Sequence, residues 1–350
     1  MNERLQKGAS ELFPGYFGLV MATGIISIAA YMLGIEWLGW GLFAANVVFY
    51  LALWFLTFIR ICRYTSNLVA DLTDHVRGPG FFTVVAGTNI LGNQFVIIAG
   101  NLPVSLFLWV LGSALWFILI YTFFAAIIVR ESKPSLETGI HGGWFIAVVA
   151  TQSVSILGTL VAHRFAVWQE PILFFTLAMY LLGCMLYMII TPIICYRLFF
   201  FRVTPAALAP VYWVNMGAAA ITTLAGGRLI LTAPQWKFLQ EILPFLKGFT
   251  LVFWSTGSWW LILLVIFGVW LHLYKRFPLR YDPQYWSLVF PLGMYATSTL
   301  VFGNATGLSF LEIIPRYFLY IALFAWLATF VGLVRRLVNS PGLSLPPEKG

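Results

Sequence analysis

The sequence predicts an all-α polytopic membrane protein: ten transmembrane helices arranged as five helical hairpins around a central pore, odd helices inner and even helices outer. Three observations carry this. The 350 residues are 61% hydrophobic and 9% charged, whereas an ordinary soluble domain carries about 25% charged residues. Uncharged runs of roughly 20 residues, long enough to cross a bilayer, recur along the chain. Every second run repeats one short pattern.

Splitting the chain at charges and Pro/Gly clusters places the spans at 13–34, 38–59, 80–99, 104–129, 143–162, 171–196, 209–230, 248–273, 285–303 and 314–334. Residues 13–337 thus form one transmembrane domain, between an N-terminal tail (1–12) and a C-terminal tail (338–350). The first run is span-length and lacks a small-residue cleavage site, so it reads as a helix and not as a signal peptide. Lysine and arginine fall on alternate connections. The N-terminal side holds 15, among them Arg77, Arg130 and Lys133; the other side holds 5, namely Arg164, Arg228, Lys237, Lys247 and Arg316. Basic residues mark the cytoplasmic side. Both tails are therefore expected there, in the plasma (inner) membrane if the source is bacterial. The net charge of +8 is an orientation signal, and nucleic acid is not an expected partner. Cys62, Cys184 and Cys195 form no CxxC pair and read as inert thiols.

The odd spans share a pattern: FGLVMATGIIS from Phe17, FTVVAGTNILG from Phe82, FIAVVATQSVS from Phe145, WVNMGAAAITT from Trp213 and FPLGMYATSTL from Phe290. An aromatic leads, at intervals of 65, 63, 68 and 77 residues. Six residues on comes Thr23, Thr88, Thr151, Ala219 or Ala296; one further comes Gly24, Asn89, Gln152, Ala220 or Thr297. The even spans, such as 106–129 and 255–274, are bulky and aromatic, as lipid-facing helices are. Small and hydroxylated residues suit close helix packing or a wet cavity. One such stripe signifies tight packing. Five at a regular period, all running the same way, point to a shared axis lined by the odd helices. Pore-lining candidates are Phe17, Thr23, Phe82, Thr88, Asn89, Phe145, Thr151, Gln152, Trp213, Gly293 and Thr297.

The segments FPGYFGLVMATGIIS, DLTDHVRGPGFFTVVAGTNILG, WFIAVVATQSVSILG and FPLGMYATST resemble the tellurite-resistance/dicarboxylate transporter family over residues 12–335. That family includes bacterial TehA-like proteins, fungal malate and sulfite transporters, and plant guard-cell slow anion channels. The resemblance implies a homotrimer of subunits, each with its own pore lined by odd helices. It also implies a phenylalanine gate on span nine, matched here by Phe290 in FPLG, and substrates that range over chloride, nitrate, malate and sulfite.

The residues fit an anion pathway. No Asp, Glu, Lys or Arg falls in the middle of any span, so nothing traps or repels an anion deep inside. Arg77, Arg130, Lys133, Arg228 and Arg316 sit at span ends, where they can concentrate anions. Pro291 removes a helix hydrogen bond and is expected to kink span nine beside Phe290. Asp71, Asp74, His75, Glu137 and His141 lie in connections, so a proton relay inside the membrane is not expected. Passive conduction is the leading reading. A carrier for a dicarboxylate or sulfite, proton-coupled or not, is the alternative. An integral-membrane enzyme is the third class, with DLTDH (71–75) its one polar cluster. No HExxH, GxSxG or phosphate-binding loop appears, and neither cofactor nor metal is expected. Partners are small anions and the lipid bilayer.

Overall fold

A computed structural model describes residues 3–165, 167–205, 208 and 210–339, and among these no strand occurs. Ten long helices carry the fold: α1 (Gly18–Met32), α2 (Glu36–Arg63), α3 (Phe82–Ile97), α4 (Leu102–Val129), α5 (Ile146–Val161), α6 (Gln169–Phe200), α7 (Val214–Thr232), α8 (Leu243–Val269), α9 (Trp286–Thr306) and α10 (Ile313–Asn339). Of the described helices, nine are long and apolar enough to cross a membrane. The expected ninth span, α9, is an unbroken 21-residue helix, but its glycines and hydroxyls leave it outside that set. Of the expected tails, residues 340–350 lie outside the described residues.

The odd helices form a closed ring: α1 packs on α3, α3 on α5, α5 on α7, α7 on α9, and α9 back on α1. Each even helix lies against its own odd helix and also touches the next one in the ring. Tight turns close the hairpins, and Gly34, Gly100 and Gly307 supply the left-handed backbone (φ +85°, +61° and +74°) at three of them. Burial follows the ring. The span segments containing α1, α3, α5 and α7 are 83–94% buried, and those containing the even helices 22–44%.

Each odd helix starts in a 3₁₀ turn: Pro14–Phe17, Gly78–Phe81, Gly142–Phe145, Pro210–Trp213 and Pro283–Tyr285. Proline suits the first helical positions because its missing N–H has no partner there to lose. The turns also make up length. A helix of 15 or 16 residues, as in α1, α3 and α5, spans only about 23 Å. Four 3₁₀ residues add about 8 Å, which brings the total to the roughly 30 Å hydrocarbon core. The five turns touch one another in the same cyclic order as their helices and form a collar at the N-terminal end of the ring. Contact there is backbone to backbone. A methyl on Gly80 would lie 2.9 Å from Gly15 N, and one on Gly142 would lie 2.6 Å from Tyr212 Cα.

Candidate functional site

The collar sets a register that the helix pattern hides. Its turns read PGYF (14–17), PGFF (79–82), GGWF (142–145), PVYW (210–213) and PQYW (283–286). The aromatic equivalent to Phe17, Phe82, Phe145 and Trp213 is thus Trp286. This corrects the sequence reading, which put Phe290 in that place, one helical turn too far along.

The cavity on the ring axis confirms the shift. Eight residues after each lead stand Ile25, Ile90, Ser153, Ile221 and Met294, and all five line the cavity. Eleven after stand Ile28, Asn93, Ile156, Leu224 and Thr297, and these also line it. Ile97 and Arg228, each fifteen after, complete the lining. The cavity is narrow, with about 10 Å³ of space for water centres, or roughly one water molecule. Four residues after the leads come Met21, Ala86, Val149, Gly217 and Phe290. Phe290, Met294 and Thr297 are spaced i, i+4, i+7 and share one helix face. Phe290 is therefore the single aromatic on the axial face of its layer, and it is 1% exposed. A methyl on Gly217 would lie 3.4 Å from Phe290 Cε1 and 2.7 Å from Pro291 Cγ, so this glycine lets α7 and α9 close up. The helix runs without a break through Pro291. Gly293 makes the same allowance for Ile25 and Ile26 of α1.

Most of the other pore-lining candidates stand elsewhere. The rings of Phe17, Phe82 and Phe145 meet outer helices: Phe17 contacts Tyr50 and Trp54, Phe82 contacts Phe123, and Phe145 contacts Tyr187. Trp213 is half-buried in the collar. Thr23 accepts a hydrogen bond from Trp326 Nε1 of α10 (2.9 Å), Thr151 accepts one from Trp116 Nε1 of α4 (2.8 Å), and Thr88 pairs with the Tyr50 hydroxyl of α2 (3.0 Å). These three threonines tie α1, α3 and α5 each to the preceding outer helix, and the Trp326 bond closes the ring. They are corrected from axis to side wall, and helix geometry gives the reason. Thr23 and Ile25, two residues apart, point about 200° apart around the helix. Asn89 donates to Ser153 Oγ (3.0 Å) beside Gly112 of α4, and Gln152 donates to Tyr180 O (3.0 Å) beside Gly183 of α6. The two outer-helix glycines are notches that receive inner-helix amides.

The basic candidates divide sharply. At the collar end Arg77 makes a two-pronged ion pair with Asp71 (2.6 and 3.0 Å), and buried Arg60 bonds the same carboxylate at 2.6 Å. Arg130 donates to Thr73 O (3.2 Å), while Lys133 and Arg316 are exposed. His141 Nδ1 accepts from Gly143 N and Nε2 faces Val76 O at 2.9 Å, so the neutral ring pins the 73–77 segment to the collar. Burial, assisted by the Arg197 charge, holds its pKa below the usual histidine value. Arg228 alone of the five reaches the cavity, at the end of the ring away from the collar. Among the described residues it has no ion pair or hydrogen bond, and its Nε is buried without a partner. Among the described residues no carboxylate lines the cavity. Asn93, Ser153 and the isoleucines are lining residues that the sequence reading missed; counting from the PxxF/W turns would have found them.

The axis thus holds a narrow, mainly apolar cavity, and among the described residues that line it Arg228 is the one charged group. Residues 11–334 match the family described as voltage-dependent anion channel (SLAC1). The chain belongs to that family. An uncharacterized transporter of Methanocaldococcus jannaschii is 25% identical over 93% of this chain and 94% of its own length. A sulfite efflux pump of Trichophyton rubrum is 24% identical over 92% of this chain and 89% of the pump. An uncharacterized membrane protein of Mycobacterium tuberculosis strain H37Rv is 37% identical over 45% of this chain and 80% of that protein. The family is one of membrane transporters and channels for anions.

Proposed function

We propose that this protein passes small anions along the ring axis, with Phe290 as the gate. One observation carries the reading: residues of all five inner helices line a single cavity, and among the described lining residues the one charge is the unpaired Arg228 guanidinium. A cation facing an apolar passage favours anions over cations, since opposite charge is attracted strongly where water is scarce. On the collar side of that cation, Phe290 stands against Gly217, and its ring can block ions by excluding water. The cavity, barely large enough for one water, fits a closed conformation.

In this reading all ten helices span the membrane, α9 shielded from lipid by its neighbours, and the domain runs from 13 to 337. The collar and both tails face the cytoplasm in this reading, which the 15-to-5 distribution of basic residues supports. The subunit assembles as a homotrimer in the plasma membrane and performs no catalysis.

The test is anion current from reconstituted protein. Phe290→Ala is expected to raise conductance at least tenfold in a folded protein, and Phe290→Leu by less. A folded Phe290→Ala protein that conducts no better than its parent removes the gate. Similarity to a sulfite efflux pump favours a second reading, gradient-coupled transport; saturable sulfite flux without current would select it.

A further inference from the structure

We propose that the connection from α8 to the last collar turn binds the phosphate headgroup of an anionic phospholipid. Residues 273–280 (LYKRFPLR) are all exposed. Leu273, Tyr274, Phe277 and Leu279 are apolar, Lys275, Arg276 and Arg280 are basic, and none of the eight is acidic. The run begins where the apolar segment Leu243–Tyr274, long enough to cross the membrane, ends. Basic residues at that place meet lipid headgroups, and exposed Tyr and Leu beside them suit the boundary between headgroup and acyl chain.

Positive charge is common on the collar side, but elsewhere it is balanced. After α2, Asp71 pairs with both Arg60 and Arg77. After α4, Arg130 and Lys133 are interleaved with Glu131 and Glu137. After α6, Arg197 is buried and donates to Glu137 O at 3.0 Å, which leaves Arg202. By contrast, Lys275, Arg276 and Arg280 have no ion pair among the described residues. The next acid in the chain, Asp282, is half-buried and accepts from Gln284 N at 2.8 Å. A fourth base comes from α10. Gly332 packs against Tyr281, and the Arg336 guanidinium lies over the same ring at 6.0 Å. Arg335, three residues after Gly332, is exposed beside that face.

The backbone holds these cations in place. Trp270–Tyr274 form a π-helical turn. Lys275 N donates to Trp270 O (2.9 Å), Phe277 N to Leu271 O (3.0 Å) and His272 Nδ1 to Phe277 O (3.0 Å). Arg276 is the one described residue other than glycine with a positive φ, +51°, a conformation that costs energy in an arginine. Lys275 Nζ sits over the rings of both Trp270 and Tyr274, at 5.4 and 5.5 Å. The fixed turn presents an ammonium and two guanidinium forks to the outside. A phosphodiester supplies two oxygens to such a fork, and its acyl chains would run past Leu273 and Tyr274.

Native mass spectrometry of detergent-solubilised full-length protein tests the site, with phosphatidylglycerol as probe and phosphatidylcholine as the zwitterionic control. The parent should bind phosphatidylglycerol about tenfold more tightly or better, since each basic residue at an anionic headgroup is worth about fivefold in affinity. Arg276→Gly removes one charge from a turn that glycine suits, so it should weaken phosphatidylglycerol by about fivefold. Lys275→Gln/Arg276→Gly/Arg280→Gln should bring it to the phosphatidylcholine level. A charge-matched variant of exposed residues elsewhere on the collar side, Arg63→Gln/Lys133→Gln/Arg202→Gln, should keep the parent's affinity; an equal loss there means diffuse surface charge and overturns the site. A parent-like preference in the first triple variant also overturns it, as does one in Arg276→Gly if the triple variant does not fold. Excess inorganic phosphate should leave the lipid bound; displacement identifies a free anion as the ligand and overturns the lipid. None of these readouts needs current, so a protein that binds the lipid and passes no anion fails the transport reading alone.

Discussion

The inner and outer rings invert the rule that holds in water. In a soluble protein the most buried elements are the most apolar. Here the inner segments are 83–94% buried and the outer ones 22–44%, yet it is the inner helices that hold most of the buried asparagine, glutamine, serine and threonine. The outer helices turn residues such as Phe107, Phe174 and Phe324 outward, at 65%, 62% and 76% exposure. Lipid accepts those side chains at no cost, so burying apolar surface gives helices in a bilayer little reason to associate. Hydrogen bonds and close contact at small residues hold the rings together instead. The outer tryptophans and tyrosines that bond Thr23, Thr88 and Thr151, and the notches at Gly112 and Gly183, are those contacts.

The comparison breaks most visibly at two phenylalanines of the inner helices. Phe290 faces the axis and Phe17 faces an outer helix. Phe290→Ala should multiply anion conductance; Phe17→Ala should leave the open probability unchanged and lower stability by about 3–5 kcal/mol, the usual cost of truncating a buried phenylalanine. Current and thermal unfolding on both variants separate gate from packing, and a conductance rise in Phe17→Ala equal to that in Phe290→Ala would erase the distinction.

The notches come next. Gly112→Ala places a methyl 2.5 Å from Asn89 Oδ1, whereas Gly248 on another outer helix has nothing within 4 Å. Overpacking costs about 1–3 kcal/mol, so Gly112→Ala should unfold at lower temperature or denaturant, and Gly248→Ala should not. Equal behaviour would mean the rings tolerate a wider gap than they show.

A single lateral bond is worth less. Trp116→Phe keeps the ring and loses the 2.8 Å bond to Thr151. Interhelical hydrogen bonds in membranes average about 0.6 kcal/mol, and the same variant in a Thr151→Val background should cost almost nothing more. A double-mutant cycle on denaturant midpoints measures the coupling.

The smallest expected effect lies at the collar and depends on pH. Burial holds the pKa of His141 below its unfolded value, so its contribution to stability is complete above the unfolded pKa of about 6.5. It declines as pH falls toward the folded value, because the unfolded chain then binds the extra proton. Acidification from pH 7.5 to 5.5 should lower the parent's Tm, and His141→Asn should flatten that slope; identical slopes would remove His141 as the cause.

Much of this was legible along the chain, and for a local reason. Hydropathy and charge depend on each residue's own transfer cost, and a backbone in lipid must bond within its own helix. The sequence therefore determined the membrane class, the helices, the pairing into hairpins and the family. What it left open was rotation. Moving a helix along by four residues turns it only about 40°, so a pattern led by Phe290 and one led by Trp286 look equally good, and small residues suit a side wall as well as a lumen. Only the tertiary structure decided between them. The backbones of five PxxF/W-type turns meet in the collar and fix the start of every inner helix at once, which turns Ile25, Asn93 and Arg228 toward the axis and Thr23, Thr88 and Thr151 away from it.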